Sequence, residues 1–215
     1  MPADRYEFRL FAPDLAEVEA RLRARAAPSR YRESLETYLL IPGRSDLNLK
    51  IRDGVLELKR LLQRERGLEQ WHPEFRQEFP VSVNRLSERL EGHLNLAEPP
   101  SELGDWDAAR FVHWVADPYI GVGVASLFKQ RFGFELDGCL VEIDRLLVNG
   151  ASLMSAAIES PDAEAVLALR NNLALQAREN VGYVLALERV LGRTPLPAGE
   201  FYNAGLLWGP GTPSR

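Results

Sequence analysis

Residues 47–60 read LNLKIRDGVLELKR, and this stretch decides the fold. Charged and apolar side chains alternate on both sides of the pair Asp53-Gly54. Alternation with a period of two is typical of a strand whose two faces meet different surroundings. Asp-Gly favours the two-residue turn of a hairpin. The stretch therefore predicts a β-hairpin with a charged face, which includes Lys50 and Lys59, and an apolar face.

The same two-faced pattern recurs along the chain. We expect further strands at 5–11, 30–41, 119–132, 134–148 and 151–159, with a bend near Asp137-Gly138 and a second hairpin turn at Asn149-Gly150. A capping box at Asp14 predicts one helix start, and Ser160-Pro161-Asp162 predicts another with Ser160 as its N-cap. Apolar stripes at helical spacing predict further helices over 82–93, 105–115 and 180–191.

These elements predict one domain over residues 1–191 and a Pro/Gly-rich tail over 192–215. Part of the tail could pack back on the domain through its apolar residues Phe201, Tyr202, Leu206, Leu207 and Trp208. Residues 63–117 change character, because a highly charged stretch gives way to apolar stripes with helical spacing. We expect that segment to be an irregular or helical excursion between strands.

Each predicted strand places its charged residues on one face. For a single strand, a solvated face over a core is the ordinary interpretation. Here the helices also carry apolar stripes, and if they cover the apolar strand faces, the charged faces turn inward. Closing the sheet then gives an α+β fold: an antiparallel β-barrel, or tunnel, with helices packed on its outside. The inward cations would be Arg5, Arg9, Lys50, Arg52, Lys59, Lys129 and Arg131, and the inward anions Glu7, Glu57, Glu142, Asp144 and Glu159.

Charges inside a barrel are costly unless they are paired, hydrated or bound to a ligand. The cations suit a triphosphate or polyphosphate, which arginine can grip with two hydrogen bonds. The clustered carboxylates suit a hard cation such as Mg²⁺ or Mn²⁺. We therefore expect a small anionic ligand with a divalent metal.

The net charge and the distribution of apolar residues exclude some classes of binding partner. The net charge of −5 disfavours general nucleic-acid binding. No run of about 18 apolar residues occurs, so no membrane span is expected. The first residues lack the apolar stretch of a secretory signal, which predicts a cytoplasmic protein.

The ordered set of charged strands resembles the CYTH superfamily, also called triphosphate tunnel metalloenzymes. The matching pieces, spread over residues 5–190, are Leu-Asn-Leu-Lys50-Ile-Arg52, Leu-Glu57-Leu-Lys59-Arg60, Lys129-Gln-Arg131, Val-Glu142-Ile-Asp144 and Ala-Ile-Glu159-Ser. The resemblance implies a tunnel fold and metal-dependent hydrolysis of inorganic tripolyphosphate or an organic triphosphate. Within that family it also leaves open a class IV adenylate cyclase.

The family signature Glu-x-Glu-x-Lys aligns with Arg5-Tyr-Glu7-Phe-Arg9, so the first acid is replaced by arginine and the lysine by arginine. Because the first-strand acids of the family help to bind metal, a non-catalytic polyphosphate or nucleotide binder is a third possibility. The resemblance assigns residues to roles as follows. Catalytic residues would be Glu7, Arg9 and Lys59; substrate-binding residues Arg5, Lys50, Arg52, Lys59, Lys129 and Arg131; and metal ligands Glu7, Glu57, Glu142, Asp144 and Glu159, although Glu57 could merely pair with a neighbouring cation.

Overall fold

The computed structural model describes residues 4–94, 104–116 and 121–194. The strands are β1 Arg5–Ala12, β2 Arg30–Leu40, β3 Leu47–Arg52, β4 Val55–Glu65, β5 Leu68–Glu78, β6 Val81–Ser82, β7 Asp105–Trp106, β8 Gly123–Leu136, β9 Cys139–Val148 and β10 Ala151–Ser160. The helices are α1 Ala16–Arg23, α2 Val83–Leu90, α3 Ala108–Val115, α4 Ala163–Asn172 and α5 Tyr183–Val190.

Eight strands form a closed antiparallel barrel in the order β1-β10-β9-β8-β2-β3-β4-β5, and β5 returns to β1. The short strands β6 and β7 pair separately. The predicted α+β barrel is therefore confirmed. Positive φ angles at both central residues form the tight turns that join its hairpins, as at Asp53-Gly54 and Asn149-Gly150.

Helices cover two sectors of the outside of the barrel. One core joins α1 and α4 to the outward apolar side chains of β1, β9 and β10, such as Phe8 and Ile143. A second core joins α2 and α3 to those of β3 and β4, such as Leu49 and Leu58. Because side chains alternate along a strand, the residues between these apolar positions point into the barrel.

Helix α5 closes one end of the barrel. Its residues Val184 and Leu187 form a third core with Leu40, Leu127 and Val148. These three strand residues have the same parity as the inward charges of their strands, so they line the inside of the barrel at this end. The charged part of the interior is therefore a cup that opens toward the other end.

The segment before α5 completes the wall beside β1. Only residues 5–7 of β1 pair with β5. Further along, the backbone N–H of Arg9 donates to Oδ1 of Asn180 (2.7 Å), and the N–H of Val181 donates to the carbonyl oxygen of Arg9 (2.7 Å). These bonds satisfy backbone groups that the barrel would otherwise leave unpaired.

The structure corrects the expected excursion at 63–117. Its first part is the end of β4 and the whole of β5, a barrel strand that the sequence analysis missed. Pro73 lacks an N–H donor and lies beside a register shift near Lys59, so the strand alternation is broken there. The helices expected over 82–93 and 105–115 are confirmed as α2 and α3.

Two smaller expectations were wrong. Asp137-Gly138 is a full hairpin turn between β8 and β9, not a bend within one strand. Asp162 rather than Ser160 caps α4, because its side chain accepts the N–H of Glu164.

Part of the predicted C-terminal tail lies outside the described residues. This holds for residues 195–215, which include Phe201, Tyr202 and Trp208. Within the described part of the chain, none of the helices has the length and apolar character needed to cross a bilayer. The cytoplasmic location stays a prediction.

Candidate functional site

The inward charges surround a cavity of about 470 Å³ in the open half of the barrel. All the predicted site residues except Asp144 line it: Arg5, Glu7, Arg9, Lys50, Arg52, Glu57, Lys59, Lys129, Arg131, Glu142 and Glu159. Gly133 also lines the cavity, and both Gly133 and Ala157 pair with Glu142 in the wall. Because glycine has no side chain and alanine only a methyl group, the wall beside Glu142 leaves room for a ligand.

At the bottom of the cavity, Glu36 of β2 binds the polar groups around it. Its carboxylate accepts hydrogen bonds from Nζ of Lys50 (3.1 Å), Oη of Tyr38 (3.0 Å) and Oγ of Ser34 (3.1 Å). Although burial acts to raise it, the charges of Lys50 and Lys129 hold the pKa of Glu36 well below its usual range. Glu36 is therefore a buried anion that fixes the cationic floor.

Lys129 lies at the bottom of the cavity, and its buried ammonium group lacks a hydrogen-bond acceptor among the described residues. Its side chain is 1% exposed, and Nζ has no hydrogen-bond partner among the described residues. Nζ lies 3.4 Å from Oε1 of Glu36 and 4.2 Å from the centre of the Tyr183 ring. Burial lowers the pKa of Lys129, against the opposing charges of Asp144 and Glu36. A buried ammonium with unused donors costs free energy that an anionic ligand would recover.

Lys50 shares this floor. Burial, which the charge of Glu36 only partly offsets, lowers the pKa of Lys50 to about 8. Its Nζ also lies 3.4 Å from Oη of Tyr38.

Arg9 occupies the centre of the carboxylate cluster. Its guanidinium lies 2.9 Å from Glu7, 3.2 Å from Asp144, 3.4 Å from Glu142 and 3.5 Å from Glu159. Burial opposes its charge, yet Glu7, Tyr183, Glu142 and Asp144 raise the pKa of Arg9 well above its ordinary value. The arginine that replaces the signature lysine is thus a fixed cation between the acids that the resemblance assigns to metal.

Asp144 lies behind the cavity wall. Its side chain is fully buried, and Oδ2 accepts hydrogen bonds from Arg9, from Oγ of Ser155 (3.1 Å) and from Oη of Tyr183 (2.9 Å). Burial acts to raise the pKa of Asp144, but Lys129, Arg9 and Arg131 lower it. The geometry makes Asp144 a counter-ion for the inner cations, while its metal role stays a prediction.

Glu7 and Glu159 form a neighbouring carboxyl pair on β1 and β10. Burial, together with the negative charges of Glu7 and Glu142, raises the pKa of Glu159 to about 7. Burial also acts to raise the pKa of Glu7, but Arg9 and Lys59 lower it to about 2. Negative charge at this point therefore exceeds what the local cations neutralise, and the pair can hold either a proton or a cation.

This carboxyl pair decides whether a divalent metal fits. Within residues 4–94, 104–116 and 121–194, no group of three or more His, Cys, Asp and Glu side chains is placed to hold a metal ion. Mg²⁺, however, is usually bound through one or two carboxylates and substrate phosphates rather than in an all-protein cage. The donor set of Glu7 and Glu159, with Glu142 nearby, fits such a shared ion.

The wall formed by β3, β4 and β5 is mainly cationic. Glu57 accepts a hydrogen bond from Arg52 (2.5 Å) and pairs with Arg76 (3.1 Å), so it serves as a counter-ion. Lys59 makes no hydrogen bond or ion pair with any described residue. It therefore projects an uncommitted ammonium into the cavity.

The mouth carries further arginines. Arg5 is 43% exposed and lies 3.8 Å from Glu159, and Arg131 forms an ion pair with Glu142 across 2.9 Å. Arg30 and Arg32 also line the opening.

Sequence reasoning missed several residues of the site. They are Glu36, Tyr38, Tyr183, Trp71, Asn48, Arg30 and Arg32. In β2 the inward parity of Arg30, Arg32, Ser34 and Glu36 was available in the sequence, and it was the signal that could have found them. Tyr183 could not be found in this way, because it reaches the cavity from a helix.

Comparisons with known proteins place the fold. No protein-family model matches the chain, and no curated protein matches it in sequence. Among solved structures, a conserved hypothetical protein from Pyrococcus furiosus is 18% identical, with 85% of this chain and 98% of that chain covered and a TM-score of 0.50.

Two other solved structures are similar at TM-scores just under 0.5. The PH1012 protein from Pyrococcus horikoshii is 15% identical over 84% of this chain and 96% of that chain, with a TM-score of 0.48. A proposed adenylyl cyclase from Hippeastrum, described as having a dominant triphosphatase activity, is 14% identical over 90% and 98%, with a TM-score of 0.49. At such identities the likeness concerns the fold and not the activity. The resemblance stated from the sequence implied a closed tunnel fold, and the eight-stranded barrel confirms that fold.

Proposed function

We propose that the cavity binds the triphosphate end of a small molecule and hydrolyses it with the help of Mg²⁺ or Mn²⁺. The single observation that carries the proposal is Lys129, a buried ammonium at the cavity floor without a hydrogen-bond partner among the described residues. Phosphate oxygens are strong acceptors for such a group.

The direction of binding follows from the shape of the cup. Because α5 closes one end, a chain of phosphates enters from the mouth and its terminal phosphate reaches Lys129 and Lys50. The phosphates nearer the mouth would contact Lys59, Arg52 and Arg131. Cations fixed in a buried site stabilise the charge that develops on a transferred phosphoryl group.

Glu7 and Glu159 would hold the divalent ion together with the phosphates. When bound, such an ion supplies charge neutralisation to the phosphate oxygens. The chain's own residues would position the phosphates. Glu36 would hold the ammonium groups of Lys50 and Lys129 in place, and Arg9 would hold the carboxylates in place.

A second function, binding without turnover, is favoured by one observation. The Arg9 guanidinium lies among the very carboxylates that would otherwise be free for metal. If Arg9 keeps them neutralised, the cavity would hold a triphosphate or polyphosphate but would not cleave it.

The experiment incubates the protein with tripolyphosphate, ATP and thiamine triphosphate, each with Mg²⁺, with Mn²⁺ and with chelator. Metal-dependent phosphate release supports hydrolysis. Tight binding by calorimetry without turnover supports the second function, and cyclic AMP with pyrophosphate would reveal a cyclase instead. If none of the three compounds binds, the proposal fails.

A matched pair of variants on β4 controls for general effects. Lys59→Ala removes an uncommitted cavity ammonium and should weaken tripolyphosphate binding by about 10-fold or more. Arg60→Ala removes the neighbouring cation, which pairs with Glu74 instead, and should leave binding unchanged. Equal losses in the two variants would contradict a specific site.

A further inference from the structure

One sector of the outside of the barrel is left without a helix among the described residues. Strand β8 lies between two of the cores. Near its C-terminal end, Phe134 belongs to the core under α1 and α4. Near its N-terminal end, Val124 packs against the core under α2 and α3. Between them, the outward residues Ser126, Phe128 and Gln130 belong to none of the cores. The middle of β8 therefore presents a bare sheet face.

An apolar row crosses this face. Leu35 of β2 pairs with Phe128 of β8, which pairs with Leu147 of β9, so the three side chains share one face and one row. Leu35 is 70% exposed and Leu147 is 44% exposed. Scattered exposed leucines are ordinary, but a contiguous row across three strands is typical of an interaction surface.

A charged row lies beside it with opposite signs at its two ends. Glu33 of β2 pairs with Gln130 of β8, which pairs with Arg145 of β9. Glu33 accepts hydrogen bonds from Tyr31 and from Gln130 (3.0 Å), and Arg145 lies 3.1 Å from Glu19 and over the Phe132 ring. These contacts orient both charges, while Glu33 stays exposed and Arg145 half-exposed.

We propose that this face is the contact surface for a second copy of the chain, in a two-fold dimer. A two-fold axis along β8 places β2 of one protomer against β9 of its partner. Leu35 then faces the partner's Leu147, and Phe128 faces the partner's Phe128. The same operation sets Glu33 against the partner's Arg145, and the reverse contact forms by symmetry.

Self-complementarity is what selects a second copy as the occupant. Both rows match themselves under one rotation: the apolar row meets an apolar row, and each charge meets its opposite. The two rows comprise only six side chains, so we expect a weak or transient dimer rather than an obligate assembly.

Sedimentation measures the mass of the full chain at concentrations from about 1 μM to about 1 mM, a range that spans weak association. The proposal expects the mass to rise from 24.2 kDa toward twice that value as concentration increases. Leu35→Glu should abolish the rise. Leu62→Glu, which alters an exposed leucine on β4 outside the face, should not.

Variants with reversed charges give the most direct test of the dimer contact. Glu33→Arg and Arg145→Glu each set like charges together and should be monomeric alone. An equimolar mixture of the two variants restores opposite charges at both contacts and should dimerise. A native chain that stays monomeric at the highest concentration overturns the proposal, whatever else covers the face. The proposal is also overturned if the mixture is no more associated than either variant alone, provided that circular dichroism shows both variants to be folded.

Discussion

The Nζ atom of Lys129 lies 3.4 Å from Oε1 of Glu36, and neither side chain has appreciable access to solvent. Glu36 also binds Lys50 through its other oxygen. One carboxylate on β2 thus neutralises two ammoniums contributed by β8 and β3. Removing one member of a buried charge cluster leaves the others uncompensated, which costs more than the cluster contributes as a whole.

Glu36→Gln keeps the shape of the side chain and removes its charge. We expect the free energy of unfolding to fall by about 3 kcal/mol or more, because Lys50 and Lys129 lose their shared anion. Urea denaturation measures this. Added tripolyphosphate should stabilise the variant more than the native protein, since it supplies the missing negative charge. Equal stabilisation of the two proteins would show that phosphate does not reach the floor.

Lys50 predicts how phosphate binding depends on pH. With its pKa lowered to about 8, Lys50 is cationic below that pH and loses its charge as pH rises through it. The attraction for phosphate is therefore present at pH 7 and fades above pH 8. Lys50→Arg keeps its charge throughout this range.

Calorimetry with tripolyphosphate at several pH values compares Lys50→Arg with the native protein, which cancels the ligand's own protonation. We expect the ratio of the two affinities to change by up to about 10-fold in favour of arginine as pH rises above 8. A ratio that does not vary with pH would refute the titration of Lys50 in the site.

Lys129→Met separates binding from stability. The substitution removes a buried charge whose donors make no hydrogen bond with described residues, and Glu36 and Asp144 keep their other partners. The melting temperature should therefore fall less than in Glu36→Gln, because that variant leaves two ammoniums without their shared anion whereas here each anion loses only one of several partners. Tripolyphosphate affinity should fall by about 10-fold to 100-fold, the worth of a charge-assisted hydrogen bond. A variant that is destabilised but still binds would identify Lys129 as structural.

How well the sequence predicts a strand and its site residues depends on what covers the outer face of that strand. In β3, β4, β9 and β10 an outer helix layer demands apolar residues and the cavity demands charges, so the alternation is plain and predicts both the fold and most of the site. In β2 the outer face is partly bare, and Glu33 and Thr37 are polar there. The two faces of β2 therefore differ little in polarity, so the alternation did not predict Glu36 as a site residue.

Other features are not encoded in a local pattern. The closing of the barrel by α5 depends on which apolar surface the helix meets, and its own periodicity carries no such information. The position of Arg9 among four acids also requires the strand register, which brings β1, β9 and β10 together.

Arg9→Lys tests whether the guanidinium substitutes for a metal. A lysine ammonium is a point charge and cannot span the four carboxylates and Ser155 that Arg9 contacts. We expect the free energy of unfolding to fall by about 1–3 kcal/mol, because some carboxylate oxygens lose a charged hydrogen bond. Those oxygens then become available to a divalent ion, so Mn²⁺ should raise the melting temperature of the variant more than that of the native protein.

The control is Arg5→Lys, which changes a half-exposed arginine at the mouth and should leave the Mn²⁺ effect unchanged. If Mn²⁺ stabilises the native protein as strongly as Arg9→Lys, the carboxylates are already accessible to metal with Arg9 in place. Hydrolysis would then be favoured over binding without turnover. If Mn²⁺ stabilises only the variant, Arg9 is the cation that holds this cluster, and the native cavity binds its anion mainly through the chain's own lysines and arginines.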